Sequence, residues 1–148
     1  SNSHKFSLIP HAKNGLSESA QRGRELFFAA ETKCATCHSG PFFTDSRMEQ
    51  PFRLHDVGTG EDDPSEKMGP KYDTPTLLGI YRTAPYLHHG KAATLEEVFT
   101  TYNRDDRHGQ TSHLSPAQIG DLVEFLKCLP YEDPEMAAKN AGLQPVTR

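Results

Sequence analysis

The chain has 148 residues, 34% of them hydrophobic, with no tryptophan and a mean hydropathy of −0.69. That is the length of one domain with little apolar side-chain area for a core, and nowhere do about 18 apolar residues run together as a membrane span would need. Sixteen basic against twenty acidic residues give a formal charge of −4, which argues against nucleic acid as a partner.

Residues 1–16 read as an N-terminal extension. They carry neither the basic nor the apolar region of a secretory leader, so the chain reads as processed or cut from something longer. Ser17 is placed as an N-cap with Glu18 in the first turn, predicting a helix to about Ala30. Within it Gly23 and Phe27 lie four apart and share one face.

Cys34-Ala35-Thr36-Cys37-His38 follows directly. This C-x-x-C-H is the attachment signature of a c-type haem: two thiols positioned to add to the vinyl groups, and an adjacent imidazole to serve as proximal iron ligand. A thioredoxin-like redox pair would need a preceding strand, and no alternating β-branched run occurs before Cys34. Zinc would need a second ligand pair, but the remaining cysteine, Cys128, stands alone in a helical pattern. One covalent haem c is therefore expected, tethered by Cys34 and Cys37 and ligated by His38. The eleven Gly and eleven Pro suit loops wrapped around a planar cofactor. Phe42 and Phe43, with Pro41, are expected to pack beside the proximal face. Thioether attachment takes place outside the bacterial cytoplasmic membrane, so a periplasmic or otherwise exported protein is expected. Cys128 reads as a small buried apolar residue.

Residues 44–73 are poor in apolar side chains and carry the acidic cluster Glu61-Asp62-Asp63 with Glu66, predicting a long loop. Thr74 to Ile80 predicts a short helical turn running into an extended segment. Thr94-Leu95-Glu96-Glu97 reads as a capping box opening a helix to about Tyr102. The last helix is punctuated by Ser115 at the N-cap, Pro116 at N1 and Gln118 at N3, and stops before Pro130. Its Ile119, Leu122, Val123, Leu126 and Leu129 form one apolar stripe, bordered by Phe125. Residues 17–130 thus read as an all-α, class I cytochrome c-like domain with three to five helices and long loops, and 131–148 as a polar tail or linker.

The sixth iron ligand decides the chemistry, because two strong ligands suit electron transfer and an open face suits binding of a small molecule. The loop before the last helix offers His108 and His113. Neutral imidazole binds haem iron readily, and His108, followed by Gly109, is the preferred candidate. Tyr102 would have to lose a proton whose ordinary pKa is near 10. Met68, in Met68-Gly69-Pro70, is a further alternative.

Arg22-Gly23-Arg24-Glu25-Leu26-Phe27, Cys34 through Pro41, Thr74-Pro75-Thr76-Leu77, Thr83-Ala84-Pro85-Tyr86-Leu87-His88-His89-Gly90 and Thr94-Leu95-Glu96-Glu97-Val98 occur in this order. Together they resemble the C-terminal haem domain of bacterial di-haem cytochrome c peroxidases and MauG-like proteins, over about residues 20–129. The resemblance implies that His88 lies near the haem edge and that Tyr102 falls at the distal position. It also implies that the Thr83 and Pro85 carbonyls correspond to contacts for a calcium ion completed by another domain. His89 is expected to be exposed. Those enzymes carry two haems, whereas this chain has a single C-x-x-C-H. The primary expectation is an electron-transfer cytochrome, a domain or subunit of a larger redox protein that works with a redox partner or a further haem domain. The alternative is the haem-bearing half of a peroxidase or MauG-like oxidase.

Overall fold

The computed structural model describes residues 16–62, 65, 67 and 69–129. Met68, Asp63, Glu66, most of the N-terminal extension and the 131–148 tail lie outside them. The first helix, α1 (Glu18–Phe28), begins where the Ser17 hydroxyl accepts from the Ala20 amide. After it the buried Thr32 folds back, its hydroxyl donating to the carbonyls of Leu26 and Ala29 at 2.6 and 3.1 Å. This satisfies groups that a helix end would otherwise leave open. It also delivers the chain into a single turn, α2 (Cys34–Cys37), entered through Lys33 in the left-handed conformation.

Two further helices follow, α3 (Leu95–Thr100) and α4 (Pro116–Lys127), with a 3₁₀ turn at Ile80–Arg82 before them. Ser115 and Gln118 cap α4 reciprocally, each side chain accepting from the other's amide. The α3 cap differs from the expected box. Thr94 accepts from the Glu97 amide, but the Glu97 carboxylate accepts from Ala93, one residue further back.

Helices α1 and α4 cross at Gly23. A Cβ there would stand 1.9 Å from the Asp121 carbonyl oxygen and 2.9 Å from the Phe125 Cβ, so hydrogen is the one side chain this approach admits. Beside the notch, Phe27 packs on Phe125 with ring centres 5.4 Å apart. The Asp121 carboxylate accepts from Arg22 Nε and Nη2, both at 2.8 Å, and from the Ser19 hydroxyl at 2.6 Å. The apolar stripe of α4 points inward as its periodicity requires, with Leu122 fully buried and Val123 1% exposed. Cys128 is buried at its end.

The all-α expectation omits one element. Strands β1 (Leu54–Asp56) and β2 (Lys71–Asp73) pair antiparallel inside the segment expected to be loop, with His55 opposite Tyr72. Leu-His-Asp and Lys-Tyr-Asp are too short and polar to announce themselves by alternation. Their pairing closes one side of the central cavity. Among the described residues no helix is long and apolar enough to cross a membrane.

Candidate haem site

A cavity of about 640 Å³ lies between α1, α3, α4 and the two-stranded sheet, walled by Phe27, Leu77, Leu95, Val98, Leu122 and Leu126. The Cys34 and Cys37 side chains line it as free thiols. Burial pushes both thiols above their ordinary pKa, which favours their protonated form.

His38 lines the same cavity. Its Nδ1 lies 3.1 Å from the Phe43 carbonyl oxygen. A carbonyl can only accept, so Nδ1 carries the proton and Nε2 keeps a lone pair for a metal. Phe43 adopts a positive φ of 52°, an uncommon conformation for a bulky residue; its carbonyl is the group that faces His38. Burial lowers the His38 pKa, favouring the neutral ring.

Across the cavity stands His108, its ring centre 6.2 Å from that of His38 and its plane tilted by 39°. Burial, then the neighbouring His38, lowers its pKa to about 4. It is therefore neutral at physiological pH, the state in which imidazole binds metals.

The other expected site residues are placed as follows. His88 lines the cavity, stacks on Tyr72 at 4.0 Å and donates through Nε2 to the Thr59 carbonyl. Phe42 is 51% exposed. Phe43 packs away from the cavity among Phe27, Phe28 and Phe125. The Tyr102 hydroxyl donates to the Lys91 carbonyl, and Tyr102 does not line the cavity. His113 is exposed and is also absent from the lining. Thr83 and Pro85 are exposed at the cavity mouth.

His89 corrects an expectation. Its side chain is 0% exposed, with Nε2 against the Asp62 carboxylate at 3.2 Å and Nδ1 accepting from the Lys91 amide. Two neighbouring polar groups make burial affordable for a ring that a turn beside Gly90 gives no sign of enclosing.

Sequence reasoning missed His55 and Asp45. His55 Nδ1 lies 3.5 Å from the Cys37 sulfur and its Nε2 is 2.9 Å from Asp45, whose side chain is 3% exposed. Burial opposes the Asp45 charge, yet hydrogen bonds from Thr74 and His55 and the nearby Arg53 hold its pKa below the ordinary value. His55 stands on β1, while Asp45 and Cys37 come from the segments before it, and no local motif signals their meeting. Arg107 was missed as well. It lines the cavity and pairs with Asp56.

These residues fit haem c. The wall is mostly apolar, two thiols sit one helical turn apart, and two neutral imidazoles face each other. Two metal–imidazole bonds of about 2 Å each, plus about 1 Å from each nitrogen to its ring centre, require ring centres about 6 Å apart. The observed 6.2 Å meets that requirement.

Comparison with known proteins points the same way. Residues 71–108 match the family described as RoxA-like, cytochrome c-like. The chain is 32% identical to the gamma subunit of hydrazine synthase from Kuenenia stuttgartiensis, over 80% of this chain and 43% of that protein. It is 28% identical to cytochrome c551 peroxidase of Nitrosomonas europaea, over 83% and 37%. A solved structure of Kuenenia stuttgartiensis hydrazine synthase superposes with a TM-score of 0.66 at 30% identity, covering 81% of this chain and 49% of that one. A MauG-like protein associated with microbial copper homeostasis superposes with a TM-score of 0.65 at 26% identity, covering 86% and 51%. The chain spans less than half the length of these curated relatives. It thus carries a cytochrome c-like domain that implies haem c and resembles the haem domains of di-haem cytochrome c peroxidases and MauG-like proteins.

Proposed function

We propose that this chain is a one-electron transfer domain holding a single haem c between His38 and His108, within a larger redox protein. The observation that carries the reading is the pair of half-buried imidazoles facing each other at 6.2 Å, in a cavity lined by both cysteines of the C-x-x-C-H. Haem supplies one-electron cycling of its iron between Fe(III) and Fe(II). The protein's own contribution is to hold that group and leave little room for other ligands. Cys34 and Cys37 each give a sulfur to a thioether. His38 offers Nε2 because Phe43 holds the proton on Nδ1, and His108 offers a neutral ring from the opposite side. Phe27, Leu122 and Leu126 keep water from the cavity wall, which together with the two imidazoles sets the reduction potential.

The remaining proposals rest on this core. Residues 17–130 form the cytochrome unit, flanked by an extension and a tail. Thioether attachment supports export to the periplasm or beyond. A second haem domain or a separate redox protein supplies the exchange partner, and Thr83 and Pro85 contribute to a calcium site only where a further domain completes it. The alternative, a haem-bearing half of a peroxidase or MauG-like oxidase, is supported by the names of the relatives. It requires a weakly held iron on the His108 side.

The absorption spectrum of the full chain matured with its haem separates these readings. Expected is a low-spin, six-coordinate ferrous spectrum indifferent to carbon monoxide, cyanide and peroxide, which becomes high-spin and ligand-accessible in His108→Ala. Ready ligand binding by the unaltered protein would favour the enzyme reading, and a low-spin spectrum persisting in His108→Ala would remove His108 as ligand.

A further inference from the structure

His108 sits in a loop without regular structure between α3 and α4, yet that loop is tied at its centre by one buried side chain. Asn103 is 1% exposed. Its Oδ1 accepts from the His108 amide at 2.7 Å. Its Nδ2 faces the His108 carbonyl at 2.9 Å, the Gly109 carbonyl at 3.0 Å and the Thr111 hydroxyl oxygen at 3.0 Å. Both polar groups of the His108 backbone are therefore held by a single carboxamide. A second tie runs to the segment just before the cysteine motif, where the Gln110 amide donates to the Thr32 carbonyl at 2.8 Å. Gly109, at φ 73°, approaches so closely that a Cβ would stand 2.9 Å from the Thr32 oxygen and 3.7 Å from the Cys34 sulfur.

We infer that Asn103 is a positioning residue: it fixes the His108 backbone so that the imidazole is held opposite His38 by the fold itself. The inference rests on the reading of His108 as ligand and adds to it the group that sets ligand strength. A loop without this tie would order its backbone at the cost of ligation, since immobilising each residue opposes binding. A buried carboxamide with both ends used removes that cost in advance. Asp106 is the internal comparison. Its carboxylate accepts from the Thr111 and Ser112 amides at 2.8 and 2.9 Å, so it braces the end of the same loop without touching His108.

The test compares Asn103→Asp, Asp106→Asn and His108→Ala in the full chain matured with haem, using ferric spin state, carbon monoxide affinity of the ferrous form and thermal melting. Asn103→Asp keeps the acceptor for the His108 amide and removes the donors. It is expected to gain a high-spin component that excess imidazole abolishes, and an apparent carbon monoxide affinity at least about tenfold higher, the size expected from one or two lost buried hydrogen bonds. Asp106→Asn is expected to lower the melting temperature with neither change. A purely low-spin, carbon monoxide-inert Asn103→Asp beside a high-spin His108→Ala overturns the positioning role and leaves the ligand reading standing. Equal spectral changes in Asn103→Asp and Asp106→Asn overturn it too, because they would reflect general loosening of the loop. A low-spin His108→Ala defeats the underlying ligand reading. Should Asn103→Asp yield no holoprotein, Thr111→Val removes one acceptor of the carboxamide. A smaller shift in the same direction is then expected, and none would overturn the inference.

Discussion

The crossing of α1 and α4 and the loop from Asn103 to Thr111 both shape one cavity, by different physics. At the crossing, apolar rings and a backbone approach admitting only glycine do the work, so its strength scales with buried area and fit. In the loop almost nothing apolar is buried, and order comes from a few hydrogen bonds converging on Asn103. Damage to the crossing should therefore appear as lost stability of the whole domain. Damage to the loop should appear in the ligation of whatever the cavity holds, with the domain still folded.

The largest effect is expected from Phe27→Ala. This ring is 2% exposed and meets Phe125, Phe28 and Phe43, so its removal should cost about 3–5 kcal/mol in denaturant unfolding. Gly23→Ala should come next, at about 3 kcal/mol, because the helices must separate to relieve a contact of 1.9 Å. In both variants the fraction that remains folded should keep its low-spin spectrum. If either changed spin state without losing stability, the division between the two regions would fail.

The smallest effect is electrostatic and depends on pH. The Arg22 hydrogen bonds, with help from Ser19, hold the Asp121 carboxyl below its ordinary pKa. A folded-state value below the unfolded one means that the unfolded chain takes up protons first as pH falls. The stabilisation is thus complete above the ordinary value near about pH 4 and is lost as pH drops through the folded value. Asp121→Asn should flatten the acid limb of a stability–pH curve below about pH 4 and leave the neutral spectrum unchanged. An unaltered acid limb would show that this pair contributes nothing to the crossing.

How much of this was legible beforehand varies with how local the signal is. Ser17, the Ser115–Gln118 box and the stripe from Ile119 to Leu129 act within a turn or two, and the helices begin where those residues stand. The Gly23–Phe27 pair was visible on one helix face, but the same spacing suits a surface glycine and an ordinary core aromatic, and the close approach is made by Asp121 and Phe125 across it. The β1–β2 pairing was invisible, since three-residue strands carry no period. The setting of His55 was equally out of reach, since it depends on Asp45 and Cys37, 10 and 18 residues away. His89 was misjudged for a related reason: its burial depends on Asp62, 27 residues away.

By itself the sequence determined the cysteine and histidine motif, the starts of three helices and the general cytochrome c-like layout, because each is written in residues within a few positions of one another. Only the tertiary structure decided which of the loop's aromatic and imidazole side chains faces His38. Local chemistry prefers His108 to Tyr102 and His113 but places none of them. The choice among their positions is made by contacts between Asn103, Thr32 and the loop backbone, and contacts of that kind exist only after the chain has closed on itself.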